Sequence, residues 1–379
     1  MSGTDAAPDE EAAALLFGRA RAQSATVEKA RIDEAFASLS RAFDYYVEVG
    51  DVALAVAAAE FPIANPGIRL AGLAQILARA LSLVPADSHD YARLLARYGG
   101  ILGISEVDYE GAQEALERAM VIARREGDLP LETLILANTA AMNGQHLHWQ
   151  ESVDHGAKAI ELAPGEEASW PALGPQWWTL MGFLNLGDLE AARPHSALIQ
   201  ALAERRRTHR MLASNSFGLI TNMSCLEGDW KKGRKHSDRG LELEPLQIVS
   251  LTARVLLKYE TGESQQGEIY LERMFEAMNR AGPIEMAASV RVPLVIATIS
   301  RTTGISDRLE MAESTAEATI LRLSVTPLYA RDLNAALALI AVQRGDHSTA
   351  EEPHAYLLGH RGTMIWTISS IDRILGLLS

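Results

Sequence analysis

The sequence predicts an all-α protein built as a helix-turn-helix solenoid. The first observation behind this is a turn that recurs. Gly50-Asp51, Gly187-Asp188, Gly228-Asp229 and Gly345-Asp346 are near-copies, and Gly262-Glu263 is a weaker one. Each follows an apolar helical stretch and opens another. The second is a small residue at a fixed offset after every turn: Ala55, Ala192, Gly233, Gly267 and Ala350. The third is periodicity, which is helical from residue 11 onward with no alternating strand. A unit recurring at intervals of about 35 to 45 residues, or multiples of that, marks stacked helical hairpins. The chemistry of the turn agrees. Glycine takes the left-handed conformation that ends a helix, aspartate caps the exposed amides of the next, and the small residue lets two helices approach closely.

Taken in order, residues 1–10 are small, acidic and proline-containing, and read as a disordered leader. Residues 11–379 read as a single solenoid. A helix over 28–49 forms the first clear hairpin with one starting after Asp51. Two prolines and a glycine at 61–67 make a loop or bend, and a helix over 68–83 follows. Helix 91–102 then pairs with 109–126, where Tyr109, Ala112, Leu116 and Ala119 fall at tetratricopeptide spacing. Gly127-Asp128 has Glu132 at the offset of the small residue, so it joins one hairpin to the next. Later second helices repeat the register: Trp149, Ser152, Gly156 and Ala159 with a closing Pro164; Leu189, Ala192, Ser196 and Ile199; Trp230, Gly233, Ser237 and Gly240 with Pro245. The fold class is therefore a tetratricopeptide-like, right-handed superhelix, with a unit nearer about 40 residues than the usual 34. Beyond Pro245 the pattern loosens, with second helices over 262–281, 302–323 and 345–358. A last helix over 364–378 is apolar and uncapped, so it calls for a further repeat or a partner.

Composition narrows the function classes. The balance of 35 basic and 49 acidic residues gives a net charge of −14, which disfavours general affinity for DNA or anionic membranes. Cys225 is the only cysteine, so a disulfide framework is excluded and a reducing compartment is the natural reading. The first eleven residues are acidic where a secretory signal is basic, and no apolar run approaches the ~20 residues that cross a bilayer. The expected location is the cytoplasm.

Several segments resemble the tetratricopeptide arm of large bacterial signalling ATPases, the LuxR-type regulators of the maltose-activator kind and their cyclase-fused cousins. They are Leu15-Leu16-Phe17-Gly18, the run from Ala42 to Asp51, the run from Asp108 to Ala115, and the run from Arg361 to Trp366. The resemblance covers nearly the whole chain. It implies a sensor or scaffold arm of a signalling ATPase or transcription regulator. The sequence has no Gly-x-x-x-x-Gly-Lys-Ser/Thr phosphate loop, so the family's ATP chemistry carries onto no residue here.

Two groups of candidate binding residues stand out. Asn138, Trp177, Trp178, Asn185, Asn215 and Asn222 lie in the first helices of hairpins. Those helices line the concave face of such a superhelix, where an asparagine can clamp a peptide backbone with donor and acceptor together. The competing reading packs the tryptophans into the core. Arg206 and Arg210, with Lys231 and Lys232, belong to two basic runs in an otherwise acidic chain. The second run occupies the first turns of a helix, where the dipole disfavours cations. Either acidic neighbours such as Glu204, Glu227 and Asp229 compensate it, or an acidic partner does. His148, Glu151 and His155 have the best metal-like spacing, yet it is a weak one. No catalytic residue, cofactor or metal is expected. The functional expectation is a non-catalytic module that binds a protein, a peptide or a small effector, with no direct nucleic-acid or membrane contact. The alternatives are a stand-alone protein–protein adaptor and, less favoured, an enzyme on an α-toroid.

Overall fold

The computed structural model describes every residue except 1–8, 25–28, 63–69, 71, 163–169, 206–209, 282–285, 323–324, 367 and 379. The expected leader thus lies almost wholly outside the described residues, as do Arg206, Pro164 and most of the 61–67 bend. Among the described residues the chain is all-α, with nineteen α-helices, one π-helical turn and a two-stranded ladder. It is a helix-turn-helix solenoid of the tetratricopeptide kind. It divides into two compact units, Met1–Asn138 and Thr139–Ser379, with the boundary inside one helix.

The first unit holds α1 (Glu10–Ser24), α2 (Lys29–Glu48), α3 (Val52–Glu60), α4 (Leu73–Leu81), α5 (His89–Ile101), α6 (Tyr109–Glu126) and the start of α7 (Leu129–Gln145). Its apolar centre joins Phe43, Leu39, Ile32, Leu73 and Leu77. Arg93 holds Glu60 with two hydrogen bonds, of 2.8 and 2.7 Å, and Arg97 donates to the Glu60 carbonyl at 2.5 Å. Burial pushes the Arg97 guanidinium down to about 10.

The second unit continues with α8 (Trp149–Leu162), α9 (Trp170–Leu186), α10 (Leu189–Ala203), α11 (Arg210–Leu226), α12 (Trp230–Leu243), α13 (Ile248–Glu260) and α14 (Ser264–Ala281). Then come α15 (Met286–Thr303), α16 (Leu309–Ile320), α17 (Pro327–Arg344), α18 (His347–Leu358), β1 (Met364–Ile365), β2 (Ser369–Ser370) and α19 (Ile371–Leu378). The first helices α9, α11, α13, α15 and α17 pack on one another in series, and each second helix lies against its own partner.

The turn read from the sequence is one hydrogen-bonded device. Gly187 has φ +76°, the Asp188 amide reaches back to the Phe183 carbonyl at 2.9 Å, and the Asp188 carboxylate accepts from the Ala191 amide at 2.9 Å. The same cap recurs at Asp51, Asp108, Asp128, Asp229 and Asp346. Four residues past the turn the small side chain is buried: Ala55, Ala112, Ala192, Gly233, Gly267 and Ala350. A Cβ on Gly267 would sit 2.6 Å from the Tyr259 ring, which shows how close the two helices of that hairpin run. Two further turns follow this geometry without glycine. Val107 (φ 59°) precedes Asp108, after a π-helical turn at Leu102–Glu106, and Leu147 (φ 66°) precedes His148. The left-handed region is costly for both residue types, so backbone geometry, not glycine content, defines the repeat.

The C-terminal segment differs from the expected helix over 364–378. β1 and β2 pair antiparallel, Met364 opposite Ser370 and Ile365 opposite Ser369, and only Ile371–Leu378 is helical. The β-branched run Thr363, Ile365, Ile368 disfavours helix. Trp366 sits at φ 47°, and the Asp372 carboxylate accepts from the Gly362 amide at 2.7 Å and pairs with Arg361. Ile371, Ile374 and Leu375 are buried where α19 packs on α17 and α18, so its apolar side is largely covered within the chain.

Two outcomes test these forces. Ala192 is fully buried at a hairpin seam; Ala192→Leu should lower stability by about 1–3 kcal/mol through overpacking, read as a lower denaturant midpoint. The Asp128 carboxyl is held below the usual carboxylate value by the Leu131 amide first and then by His89. Its folded-state pKa is depressed, so its contribution is present above the ordinary value of 3.8 and is lost as pH falls through the folded one. Asp128→Asn should therefore flatten the fall in melting temperature between pH 5 and pH 3, which acid-titrated melts would measure.

Candidate functional site

In the second unit, the inner helices are enclosed. α13 is buried at every position from Ile248 to Tyr259, and α15 from Ala288 to Ser300. The reason is that α17 returns to the start of the unit. Thr326, at its N-cap, donates to the Gln145 side chain at 2.8 Å, and Arg331 donates to Asn185 Oδ1 at 2.8 Å. β1 packs against α9, with Met364 beside Gly187. Repeats stacked in a line touch only neighbours, whereas these bonds join residues 181 and 146 positions apart.

The return brings charge into the centre. Arg331 and Asp332 are both 0% exposed, and Arg291 is 4%. Asp332 Oδ1 accepts from Arg331 at 2.9 and 3.2 Å. Its Oδ2 accepts from the Trp366 indole at 3.2 Å and from Arg291 at 3.4 Å. Arg291 stacks 3.5 Å from the centre of the Trp366 ring, and Arg331 lies over Trp149 at 5.6 Å. Burial pushes the Arg291 guanidinium down to about 10, with Asp332 opposing. Two guanidiniums thus share one carboxylate in a desolvated site. Arg291 Nε and Trp149 Nε1, beside this centre, are among the buried donors of the unit that have no acceptor among the described residues. Such orphans are costly.

The residues expected on the concave face divide accordingly. Asn185 is part of the centre, and its amide also donates to the Met181 carbonyl at 2.8 Å. Trp178 is buried against Gly144 and meets Trp177 edge-on at 4.9 Å, so both pack within the helix layer. Asn222 is 1% exposed within α11. Asn215 accepts from Gln247 at 3.5 Å. Asn138, in the first unit, donates to the Ala96 carbonyl at 3.1 Å and fills the space beside Gly100. Asn138 and Asn215 remain half-buried, whereas Asn185, Asn222 and Trp178 are buried. Arg331 and Asp332 are adjacent on α17, and Arg291 lies on the neighbouring α15. The sequence reading singled out none of the three, and of the hydrogen bonds of this centre only the one to Asn185 depends on the return of α17. The signal was a charge inside an otherwise apolar helix, as in Ser289-Val290-Arg291-Val292-Pro293.

The basic residues lie elsewhere in the unit. Arg210 donates twice to the Leu243 carbonyl, at 3.0 and 2.6 Å, and so closes the end of α12. Lys231 lines an open groove of about 970 Å³ between α10 and α12, and Lys232 is exposed one residue on. Glu204 and Asp229 line the same groove as Lys231, and none of the three acidic neighbours forms an ion pair with Lys231 or Lys232 among the described residues. Glu227 is taken by Arg193 at 2.7 Å, Asp229 caps the Lys232 amide at 2.9 Å, and Glu204 accepts from Gln200 at 3.0 Å. No group of three or more potential metal ligands gathers among the described residues, and His148, Glu151 and His155 do not form one. No described helix is long and apolar enough to cross a membrane.

No protein-family model and no curated protein sequence matches the chain. Solved structures do. A Rap protein complexed with competence and sporulation factor superposes with a TM-score of 0.61 over 98% of this chain and 100% of its own, at 12% identity. Aspartyl phosphate phosphatase F from Bacillus subtilis gives 0.53 over 99% and 96%, at 14% identity. The apo form of RapI gives 0.51 over 91% and 97%, at 10% identity. At these identities the likeness is one of fold, and it extends along almost the whole chain.

Asp332 is the one carboxylate between two buried cations. Asp332→Ala should cost about 3–5 kcal/mol, because it leaves them unpaired. Adding Arg331→Met should recover part of that loss. Denaturant unfolding of the two variants beside the parent would read both steps, and equal loss in single and double variants would sink the pairing.

Proposed function

We propose that the chain is a non-catalytic helical-repeat binding module, the sensor or regulatory arm of a signalling assembly such as the ATPase regulators its sequence resembles. The observation that carries this reading is the enclosed polar centre of the second unit. A solenoid sealed on apolar contacts would stay shut. Here the return of α17 rests on Thr326–Gln145, Arg331–Asn185 and Trp366–Asp332, which are polar bonds that water or a ligand can replace. Arg291 Nε and Trp149 Nε1 beside the centre have no acceptor among the described residues. A peptide backbone or a carboxylate-bearing effector offers the missing acceptors. Such a ligand would bind on the inner helices, exchange with the internal bonds and shift the unit between closed and open states. A partner that recognises one state would read the occupancy. The Rap likeness is to a protein held with a factor, which supports a ligand-binding role for this fold.

Hydrogen exchange gives the test. Asn185→Ala should speed amide exchange in α9 and α17 together and leave α12 and α14 unchanged. A peptide that raises the melting temperature of the full chain should slow exchange in the same two helices, and Arg291→Met should abolish that protection. Peptides that stabilise the chain while leaving α9 and α17 untouched would overturn the reading.

A further inference from the structure

The segment after α18 carries an inference that rests on the ligand reading of the enclosed centre and adds its regulation. Gly359 and Gly362 bracket an exposed turn at its start, and a Cβ on Gly362 (φ +76°) would meet nothing. Past this turn the hydrogen bonds run largely within the segment. β1 pairs with β2, the Ile371 amide donates to the Thr363 carbonyl at 2.9 Å, and the Ile368 amide donates to the Ile365 carbonyl at 2.9 Å. The Asp372 carboxylate latches the Gly362 amide at 2.7 Å and Arg361 at 3.1 Å. The segment therefore keeps its own shape, and it docks on the unit by burying Ile365, Trp366, Ile371, Ile374 and Leu375. A small, self-bonded piece on a glycine turn belongs to the class that opens at less cost than global unfolding.

A second observation shows what the piece covers. Trp366 enters the centre itself. Its indole N–H donates to Asp332 Oδ2 at 3.2 Å, and its ring centre lies 3.5 Å from the Arg291 guanidinium. Arg291 reaches the same carboxylate oxygen at 3.4 Å, and its Nε has no acceptor among the described residues. Trp366 takes this seat at φ 47°, a left-handed conformation that a bulky residue holds only where its surroundings impose it. Two residues earlier Met364 lies beside Gly187, and β1 packs on α9. An extended stretch, an apolar residue and an indole thus occupy the place where a ligand of the centre has to enter.

We propose that β1, β2 and α19 form a displaceable internal occupant of the centre, and that the ligand displacing it is an extended peptide segment whose tryptophan takes the seat of Trp366. The chemistry of the seat selects this class. The Arg291 guanidinium accepts an aromatic face, and Asp332 Oδ2 accepts an N–H. Phenylalanine supplies the ring without the donor. The chain's own tryptophan holds the seat shut, so the apparent affinity of a free peptide is its intrinsic affinity scaled down by the open fraction. Weakening the internal occupant raises that fraction.

The probe is a fluorescein-labelled peptide with the sequence from Arg361 to Ser370, titrated into the full chain and read by anisotropy. Trp366→Ala empties the seat and leaves the inner helices in place, so it should bind the probe at least tenfold more tightly than the parent does. A probe with alanine for its tryptophan should lose that gain, and one with phenylalanine should keep part of it. Asp372→Ala opens the exposed latch without touching the centre, and should raise binding of the same probe to a smaller degree. It carries the test if melting curves show that Trp366→Ala does not fold. Hydrogen exchange on the parent should find β1, β2 and α19 opening together, well before α13 and α15. Equal binding by the parent and the folded variants overturns the proposal. So does a gain that is the same for the tryptophan and alanine probes, which would leave only an apolar surface. Exchange in β1 and α19 as slow as in α13 overturns it as well. Each of these failures leaves the response of α9 and α17 to Asn185→Ala as it was, whereas failure of the ligand reading appears in that response and not in the segment's own exchange.

Discussion

Most of the described hairpins depend on one backbone requirement: a single residue in the left-handed conformation, followed by a capping group. That residue stops a helix, returns the next amide to a carbonyl five positions earlier and hands the chain to a carboxylate that starts the following helix. Asp188 on Phe183 and Ala191 shows the whole device. Once direction is set there, the fifth residue after the left-handed one faces the partner helix, and only a small side chain fits. Register along the solenoid then follows from the turns.

This is why the fold was legible and the candidate site was not. Gly-Asp and the small residue after it are local, so the all-α repeat, the hairpin partners and the seam positions could be read directly. Where the device persists without its usual residues, as at Val107 and Leu147, the sequence gives no mark and the structure is needed. The segment after residue 361 misled for the opposite reason: its apolar content is helical in spacing, yet its β-branched residues and the anchoring of Trp366 hold it extended. Of the asparagines expected on a ligand-facing side, Asn185 and Asn222 are buried, while Asn138 and Asn215 are half-buried. Asp332 meets Arg291 and Trp366, and Arg331 meets Asn185, across separations of 34 to 146 residues, and no short window contains that fact.

Charge is used in two ways in the second unit. Inside, two guanidiniums, one carboxylate and two indoles hold a desolvated centre in which geometry must be right or the cost is large. Outside, along α12, Lys231, Lys232 and Lys235 are exposed, with Glu204 and Asp229 close by in the same groove. The first arrangement fixes which helices meet. The second stays in contact with solvent. A chain with an acidic total can carry both because they are separated by a layer of helix.

The return of α17 also changes what kind of folding problem the second unit is. A linear stack of hairpins forms from neighbour contacts, can nucleate anywhere and can fray from its ends. Bonds from Thr326 to Gln145 and from Arg331 to Asn185 tie the last repeats to the first across a loop of well over a hundred residues. Closing such a loop is entropically slow and contributes only when both ends are already ordered. The unit therefore behaves less like a row of independent modules and more like a single cooperative domain, in which damage to a terminal repeat is felt at the opposite end of the sequence.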